Sequence, residues 1–553
     1  MNNAADWLLE WLADHGVDVM FGNPGSTELP LIDALGRQHR IRYVLALHES
    51  SVLGMADGYA QQGNRLGVVN VHVQPGLANA MSGILNAARA RVPLLVTVGQ
   101  QVTSLIDQAP FLGGELVRLA EPIAKGALEV RDVEDLPAAL DHAMGVAMTH
   151  PRGPVVLSLP MDVLTGVISG PVASEYSEAV TDPVAVHAAV ELLITANSPV
   201  VVAGDGVVHE GASAELLTVA ERLGAPIFGE PFASRVPVPT SHPLWKGLLP
   251  GFAAEIAPRL AEHDLVLAVG MPVFRVFGHS GGSALPAGVS LIHLDVDEAE
   301  IGRNHPTEVG LPMSIKVGLH MLGRQLPAPT PDVEARRART IATAATERDA
   351  MGARLRELTE APGITAAVFS AGIARAVGAT DLVVDEAFTS GRWLRTALGG
   401  RNTSTNWLAH RGSALGWGLP AAVGAKLADP SRRVMCVHGD GSFLFGVHVL
   451  WTAARERLGV AVVVADNSGY EILRAGMEGL TGRAAGNWPG LALTDPKVDL
   501  VAISRGFGAS AERIEHRDQL DDALADVWRR AESGPAVLVV PVTGRTPAVG
   551  YPL

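Results

Sequence analysis

The sequence predicts three α/β domains, each an open, doubly wound parallel sheet clothed in helices. Three observations carry that prediction. Strand-like apolar runs alternate with helix-like segments almost throughout, the pattern of βα units whose strands run parallel. At 553 residues the chain exceeds what one hydrophobic core can serve. Two stretches lack the pattern and read as linkers: Gly170 to Pro183 (GPVASEYSEAVTDP) and Leu326 to Val333 (LPAPTPDV), the second followed by a charged, Ala-rich helix. They divide the chain at residues 1–180, 181–335 and 336–553, each a normal domain size. No short-period repeat and no low-complexity tract is present.

Composition narrows the class. With 48% hydrophobic and 18% charged residues the chain is globular rather than disordered. A formal charge of −15 argues against nucleic acid as a partner, because phosphate affinity rests on clustered Lys and Arg. No run reaches the roughly 20 apolar residues of a membrane span. The first helix is amphipathic, with Asp6, Glu10 and Asp14 opposite Trp7, Leu8, Trp11 and Leu12, and no basic leader precedes it. A cytoplasmic protein without a membrane partner is expected. The single cysteine, Cys436, lies in the apolar run RVMCVHGD and reads as a buried structural thiol.

In the first domain three strand-like runs end on polar residues. GVDVMF leads into the turn GNPGS, ending at Ser26; IRYVLALHE ends at Glu49 before the helix-like SSVLGMADGYAQQ; LGVVNVHV carries His72 before QPGLANAMSG. In an open parallel sheet ligands bind outside the carboxyl ends of the strands, so all three would share one rim. Each also has a plainer reading. Ser26 suits the N-cap of TELPLIDAL, Glu49 a cap or surface position, and His72 a satisfied rim histidine.

The third domain is more specific. The strand RVMCVH runs into GDGSF (Gly439 to Phe443), then the helix-like FGVHVLWTAARERL, then the strand GVAVVVAD with Asn467 at its end. One βαβ crossover separates Asp440 from Asn467 and returns the second strand end beside the first. Two oxygen ligands at a glycine-lined helix N-terminus suit a hard cation such as Mg2+ and a diphosphate that it bridges. A second GDG, Gly204 to Gly206, has no Asn at the matching distance, where Phe232 stands instead. Only the later GDG is therefore a metal-site candidate.

The GDG-to-Asn spacing, together with an acidic residue at the second strand end of the N-terminal domain, resembles the thiamin diphosphate-dependent 2-oxo acid decarboxylases. The likeness is to their benzoylformate decarboxylase branch. It extends through NPGSTELP, LALHESSVLGMADGYAQ, NAMSGILNAARARVPLLVTVGQQ, PVPTSHPLWKGLLPG, VGMPVFR, ALGWGLPAAVGAKLADP and GDGSFLFGVHVLWTAA, nearly the whole chain. The resemblance implies a pyrimidine-binding domain, a middle domain and a diphosphate-binding domain. It implies thiamin diphosphate and Mg2+ as cofactors, without FAD, and a small 2-oxo acid as substrate. It also implies active sites shared between subunits, hence at least a homodimer and by expectation a homotetramer.

Residue roles follow from the same resemblance. Glu49 would hydrogen-bond the aminopyrimidine, its carboxylate held in a low-dielectric wall. Leu415 would prop the cofactor into its bent shape, and the backbone carbonyl of Ser413 would face the pyrimidine amine. Asp440, Asn467 and the carbonyl of Gly469 would hold the metal. Thr389, Ser390, Gly439, Gly441, Ser442 and Tyr470 would line the diphosphate. Ser26 would hold the substrate carboxylate and His72 would bind substrate and relay protons. A neutral hydroxyl suits a carboxylate that must leave as CO2, because it does not over-stabilise the ground state.

The chain departs from the family on the substrate side. The family's second histidine, two residues beyond VFR, is Phe277 here, and His279 is the nearest candidate to replace it. Two bulky aromatics that follow Leu-Arg in the family are Ala475 and Gly476 after Leu473-Arg474, which predicts a wider pocket wall. Competing readings are an acetolactate-synthase-like carboligase, a non-enzymatic paralogue, which the presence of Glu49, Asp440 and Asn467 disfavours, and an NAD oxidoreductase, for which no GxGxxG follows a strand.

Overall fold

A computed structural model describes residues 3–168, 183–412, 414–483 and 488–544. Its strands form three six-stranded sheets. The first contains β1 (Val19–Asn23), β2 (Arg42–Leu45), β3 (Gly67–Val71), β4 (Leu94–Gln100), β5 (Gly126–Glu129) and β6 (Pro154–Pro160), in the order β2-β1-β3-β4-β6-β5. The second contains β7 (Pro199–Ala203), β8 (Ile227–Gly229), β9 (Trp245–Leu248), β10 (Leu265–Val269), β11 (Ser290–Asp295) and β12 (Val309–Pro312), ordered β12-β11-β10-β7-β8-β9. The third contains β13 (Leu382–Glu386), β14 (Trp407–Ala409), β15 (Val434–Gly439), β16 (Ala461–Asp466), β17 (Ser510–Arg513) and β18 (Ala536–Pro541), ordered β14-β13-β15-β16-β18-β17. Neighbouring strands pair in parallel in all three.

The strand order of the first sheet recurs in the third. This fold-level repeat leaves no trace in the sequence as a short period, because topology is kept while side chains diverge. Central strands are buried along their whole length, as β4 and β16 show, since helices cover both faces.

The first and third domains share a core. Apolar residues of β1, β3 and β4 join those of β13, β15 and β16 in one cluster. At its centre the helix Glu49–Gly63 packs on the helix Gly418–Ala428. Small residues allow the approach: a Cβ on Gly58 would lie 2.0 Å from Ala421 O, and one on Gly424 would lie 1.9 Å from Met55 O.

The linker readings change in part. Most of Gly170 to Pro183 lies outside the described residues. The second linker is shorter than read, because the helix Pro331–Thr359 already begins at Pro331. Thr330 caps it, its Oγ1 accepting from Val333 N at 3.4 Å, and proline fits the first helical position because the N–H it lacks would be unbonded there. Cys436 is fully buried in β15, as read. Among the described residues no helix is long and apolar enough to cross a membrane.

Candidate active site

The winding of the first sheet reverses between β1 and β3, and that of the third between β13 and β15. Each reversal leaves a crevice outside the carboxyl ends of the strands. Ser26, Glu49 and His72 follow β1, β2 and β3, whereas Thr389 and Ser390, Leu415, Asp440 and Asn467 follow β13, β14, β15 and β16.

In the first crevice Ser26 is exposed and opens a 3-10 turn, Ser26–Glu28. It is not the N-cap that the plainer reading made it. Gly25 takes that place, and Glu28 reaches back to accept from Gly25 N at 2.8 Å. The Glu28 carboxylate is fully buried. It lies 2.8 Å from His72 Nδ1 and accepts from Thr27 Oγ1 at 2.9 Å. A Cβ on Gly25 would fall 2.2 Å from the imidazole, so only glycine leaves room for the ring. The backbone enters the helix Val73–Arg89 through Val73 at φ +36°, an uncommon value for a β-branched residue and the kind of strain found at functional sites. A carboxylate on Nδ1 fixes the ring and leaves Nε2 for proton transfer.

Sequence reading missed Glu28. Its one signal was an acid three residues past a glycine in a strand-end turn, and no spacing pairs it with a histidine 44 residues away.

Glu49 is the first residue of its helix, not the cap; His48 is the cap, its Nδ1 accepting from Ser50 N at 3.2 Å. The Glu49 carboxylate accepts from Asn79 Nδ2 at 3.0 Å, and Gly76 brings the first turn of Val73–Arg89 against it. The expected low-dielectric wall is incomplete in the single chain, since Glu49 is half-buried and Leu47 is 46% exposed.

In the second crevice Gly439 ends β15 and Asp440 begins the helix Asp440–Gly446. Asp440 accepts from Gly441 N at 2.8 Å and from Gly469 N at 3.1 Å. Burial pushes its carboxyl up to about 6, opposed by backbone N–H groups and helped by Asp466. Asn467 Oδ1 is buried with no hydrogen-bond partner. A buried carboxylate disfavoured as an anion and, at the neighbouring strand end, a buried amide oxygen without a partner suit a hard cation, which Asp440 and Asn467 would hold. The chain turns back through Ser468 at φ +56°, and a Cβ on Gly469 would meet Arg474 Nη2 at 2.4 Å and Leu491 O at 2.5 Å. The Gly469 carbonyl, the third expected ligand, also accepts from Glu471 N at 3.2 Å. The Tyr470 ring covers Gly441, where a Cβ would lie 2.7 Å from it. Among the described residues no group of three His, Cys, Asp or Glu offers an alternative metal site.

Around this cradle Ser390 is buried and its carbonyl accepts from Ser370 Oγ at 3.2 Å, while Thr389 is half-buried. The Ser442 hydroxyl is engaged inward, 3.1 Å from both Glu386 O and His438 Nδ1. Ser413 lies outside the described residues; Leu415 beside it is 36% exposed.

The earlier GDG is occupied by protein groups. Asp205 Oδ1 accepts from Arg235 N at 3.0 Å, and Oδ2 from Ser234 N at 3.1 Å and Arg411 Nη1 at 2.7 Å. Arg411 also pairs with Glu230 at 2.6 and 2.8 Å. Asp205 is thus a buried interdomain ion-pair partner.

On the middle domain Phe277 stands edge-to-face on Phe252 at 5.8 Å and is 53% exposed, while His279 is exposed on the loop beyond. Ala475 and Gly476, where a wider wall is predicted, are both buried within the helix Glu471–Thr481, whose outward face presents Leu473 and Leu480. Among the described residues no hydrogen bond or ion pair joins Ser26, Glu49 or His72 to Asp440 or Asn467.

Comparison with known proteins agrees with the three-domain fold. The thiamine pyrophosphate enzyme N-terminal TPP binding domain matches residues 2–117, the central domain 186–322 and the C-terminal TPP binding domain 389–540. Benzoylformate decarboxylase of Pseudomonas aeruginosa is 35% identical over 544 residues, covering 96% of this chain and 97% of that protein. The acetolactate synthase isozyme 1 large subunit of Escherichia coli is 26% identical over 545 residues, covering 97% and 93%. The structure of the thiamine diphosphate-dependent 4-hydroxybenzoylformate decarboxylase of Rhodococcus jostii RHA1 superposes with a TM-score of 0.85 at 29% identity, covering 98% and 99%.

Proposed function

This chain belongs to the thiamine pyrophosphate enzymes, in the 2-oxo acid decarboxylase family, and on that premise we propose that it decarboxylates an aryl 2-oxo acid of the benzoylformate type to the aldehyde and CO2. The observation that carries the reading is the pair at the second crevice: a buried Asp440 carboxylate and an unpartnered Asn467 oxygen over the Gly439–Ser442 turn. These residues, with the Gly469 carbonyl, would hold Mg2+ and through it the diphosphate. Thiamin diphosphate, when bound, supplies the nucleophilic carbon and the electron sink for CO2 loss.

The chain's own side chains position and move protons. Glu49 holds the aminopyrimidine through its carboxylate, and Leu415 fills the space beneath the ring. Ser26, exposed at its turn, donates to the substrate carboxylate. His72, held at Nδ1 by Glu28, transfers a proton at Nε2. Phe252 and Phe277 offer an aromatic surface where the family has a titratable group, which favours an apolar aryl substituent.

The two crevices serve one reaction only if two copies combine, so the reading includes a homodimer, with a dimer of dimers as the fuller assembly. Exposed apolar residues beside both crevices support this: Leu47, Leu415, Phe388 at 50% and Phe445 at 53%. Such a set gains by being covered.

The test is CO2 release from benzoylformate, 4-hydroxybenzoylformate, phenylpyruvate and pyruvate with added thiamin diphosphate and Mg2+. An aryl 2-oxo acid should be turned over best. The acetolactate synthase relatives favour a second reading, carboligation of 2-oxo acids. Pyruvate as best substrate, acetolactate as product and a flavin absorbance band in the pure protein would select that reading instead.

A further inference from the structure

Leu415 stands between two clamps. On one side both backbone polar groups of Ala414 pair with a side-chain amide: Ala414 N donates to Asn86 Oδ1 at 3.1 Å, and Asn86 Nδ2 donates to Ala414 O at 2.9 Å. His410 Nε2 lies 2.8 Å from the same carbonyl. Gly412 passes so close that a Cβ there would fall 2.1 Å from Asn86 Oδ1. On the other side the Glu386 carboxylate accepts from Gly416 N at 2.7 Å and from Gly418 N at 2.5 Å. Gly416, at φ +88°, makes the turn between the clamps, and a Cβ there would meet Phe445.

Asn86 and Glu386 are both buried, whereas the residue between the clamped peptides, Leu415, is apolar and left partly exposed. A surface loop that needed only to close would satisfy its N–H and C=O groups with water. Here a carboxylate and an amide are desolvated instead, at a cost that only well-made hydrogen bonds offset. The expense fixes the direction of one side chain. Asn86 belongs to the first domain and lies in the last turn of Val73–Arg89, the helix whose first turns carry Gly76 and Asn79 against Glu49. One helix therefore braces a residue in each crevice.

We propose that Asn86 and Glu386 are positioning residues that hold Leu415 as the apolar prop beneath the thiamin ring, with Asn86 acting from the neighbouring domain. This rests on the proposed function. The experiment is a double-mutant cycle read by calorimetric titration of thiamin diphosphate with Mg2+ into wild type, Asn86→Ala, Leu415→Ala and the double variant, with Glu386→Gln in parallel. Loss of two buried hydrogen bonds should weaken cofactor binding about 10-fold in Asn86→Ala. In the Leu415→Ala background the same substitution should add less than about 2-fold, because the side chain it positions is gone. Thermal midpoints of the metal-free proteins read the loss of bracing separately. Asn86→Asp keeps the shape and the acceptor but loses the donor to Ala414 O; it serves the same cycle should Asn86→Ala fail to fold. Equal weakening in both backgrounds, or binding by Asn86→Ala within 2-fold of wild type, overturns the inference alone. Wild type that takes up no thiamin diphosphate overturns the proposed function and this inference with it.

Discussion

Glu28 Oε2 lies 2.8 Å from His72 Nδ1, inside a turn that also gives Glu28 the N–H of Gly25 and the hydroxyl of Thr27. The carboxylate accepts from every side, so the imidazole carries its proton on Nδ1, and among the described residues no hydrogen bond engages Nε2.

Glu28→Gln keeps an amide oxygen on Nδ1 and on Gly25 N but removes the negative charge that stabilises the ring when it takes up a proton. Turnover of the best aryl 2-oxo acid should fall about 10²-fold, the lower end of what a placed acid–base group supplies. His72→Ala should fall at least as far, and the double variant no further, because the two act as a unit. Steady-state kinetics of the three variants checks this; near-wild-type kcat in Glu28→Gln would separate the pair from the chemistry.

Glu49→Gln should keep the fold and bind thiamin diphosphate while losing about 10²–10⁴ in kcat. Its partners are a single amide, Asn79, and a close glycine, Gly76, so little folding energy is at stake. Unchanged decarboxylation would remove Glu49 from the mechanism.

The two GDG turns should respond oppositely. Asp440→Ala should abolish Mg2+-dependent cofactor binding with a small change in thermal midpoint. Asp205→Ala should keep binding but lose about 3–5 kcal/mol of stability, because it breaks a buried ion pair and leaves Arg411 under-compensated. Calorimetric titration and denaturant unfolding of both variants give the comparison. The reverse pattern would mean that the wrong turn was assigned to the metal.

Glu386 makes the metal-free protein's stability depend on pH. Burial pushes its carboxyl from 4.5 to about 8, against the backbone N–H groups of Gly418, Gly416 and Trp417. The folded state holds this proton more tightly than the unfolded chain. Its contribution is therefore fully present below about 4.5 and lost as pH rises through about 8. The thermal midpoint should decline between pH 5 and 8, and Glu386→Gln, lower overall, should decline less steeply. Parallel slopes for the two proteins across that range would contradict this origin.

Much of this was legible before the structure. Runs such as RVMCVH and LGVVNVHV place apolar residues at consecutive rather than alternate positions, and that pattern announces strands buried on both faces. The polar residues that end them had to lie at strand ends, which is why Asp440, Asn467, Glu49 and His72 all fall on crevices. Cys436, apolar on both sides, could only be buried. What Ala475 and Gly476 do to the pocket wall is not legible in the sequence, because a helical pattern does not say which side of the helix meets the body and which meets a partner.

Local periodicity and one βαβ spacing suffice for the class of fold, the strand ends and the placing of Asp440 and Asn467 at the ends of neighbouring strands. Which charged and polar groups are already spent depends instead on how the domains pack. Asp205 and Asp440 share the sequence GDG, yet one is neutralised by Arg411 from 206 residues away, whereas the other accepts from two backbone N–H groups and no Lys or Arg pairs with it among the described residues. Glu28 finds His72, and Asn86 finds Ala414 328 residues away. Hydrogen bonds and buried ion pairs act over about 3 Å, and which groups come that close is set by how domains pack, through glycine crossings such as Gly58 on Ala421 and Gly424 on Met55. No local pattern in the chain encodes that distance.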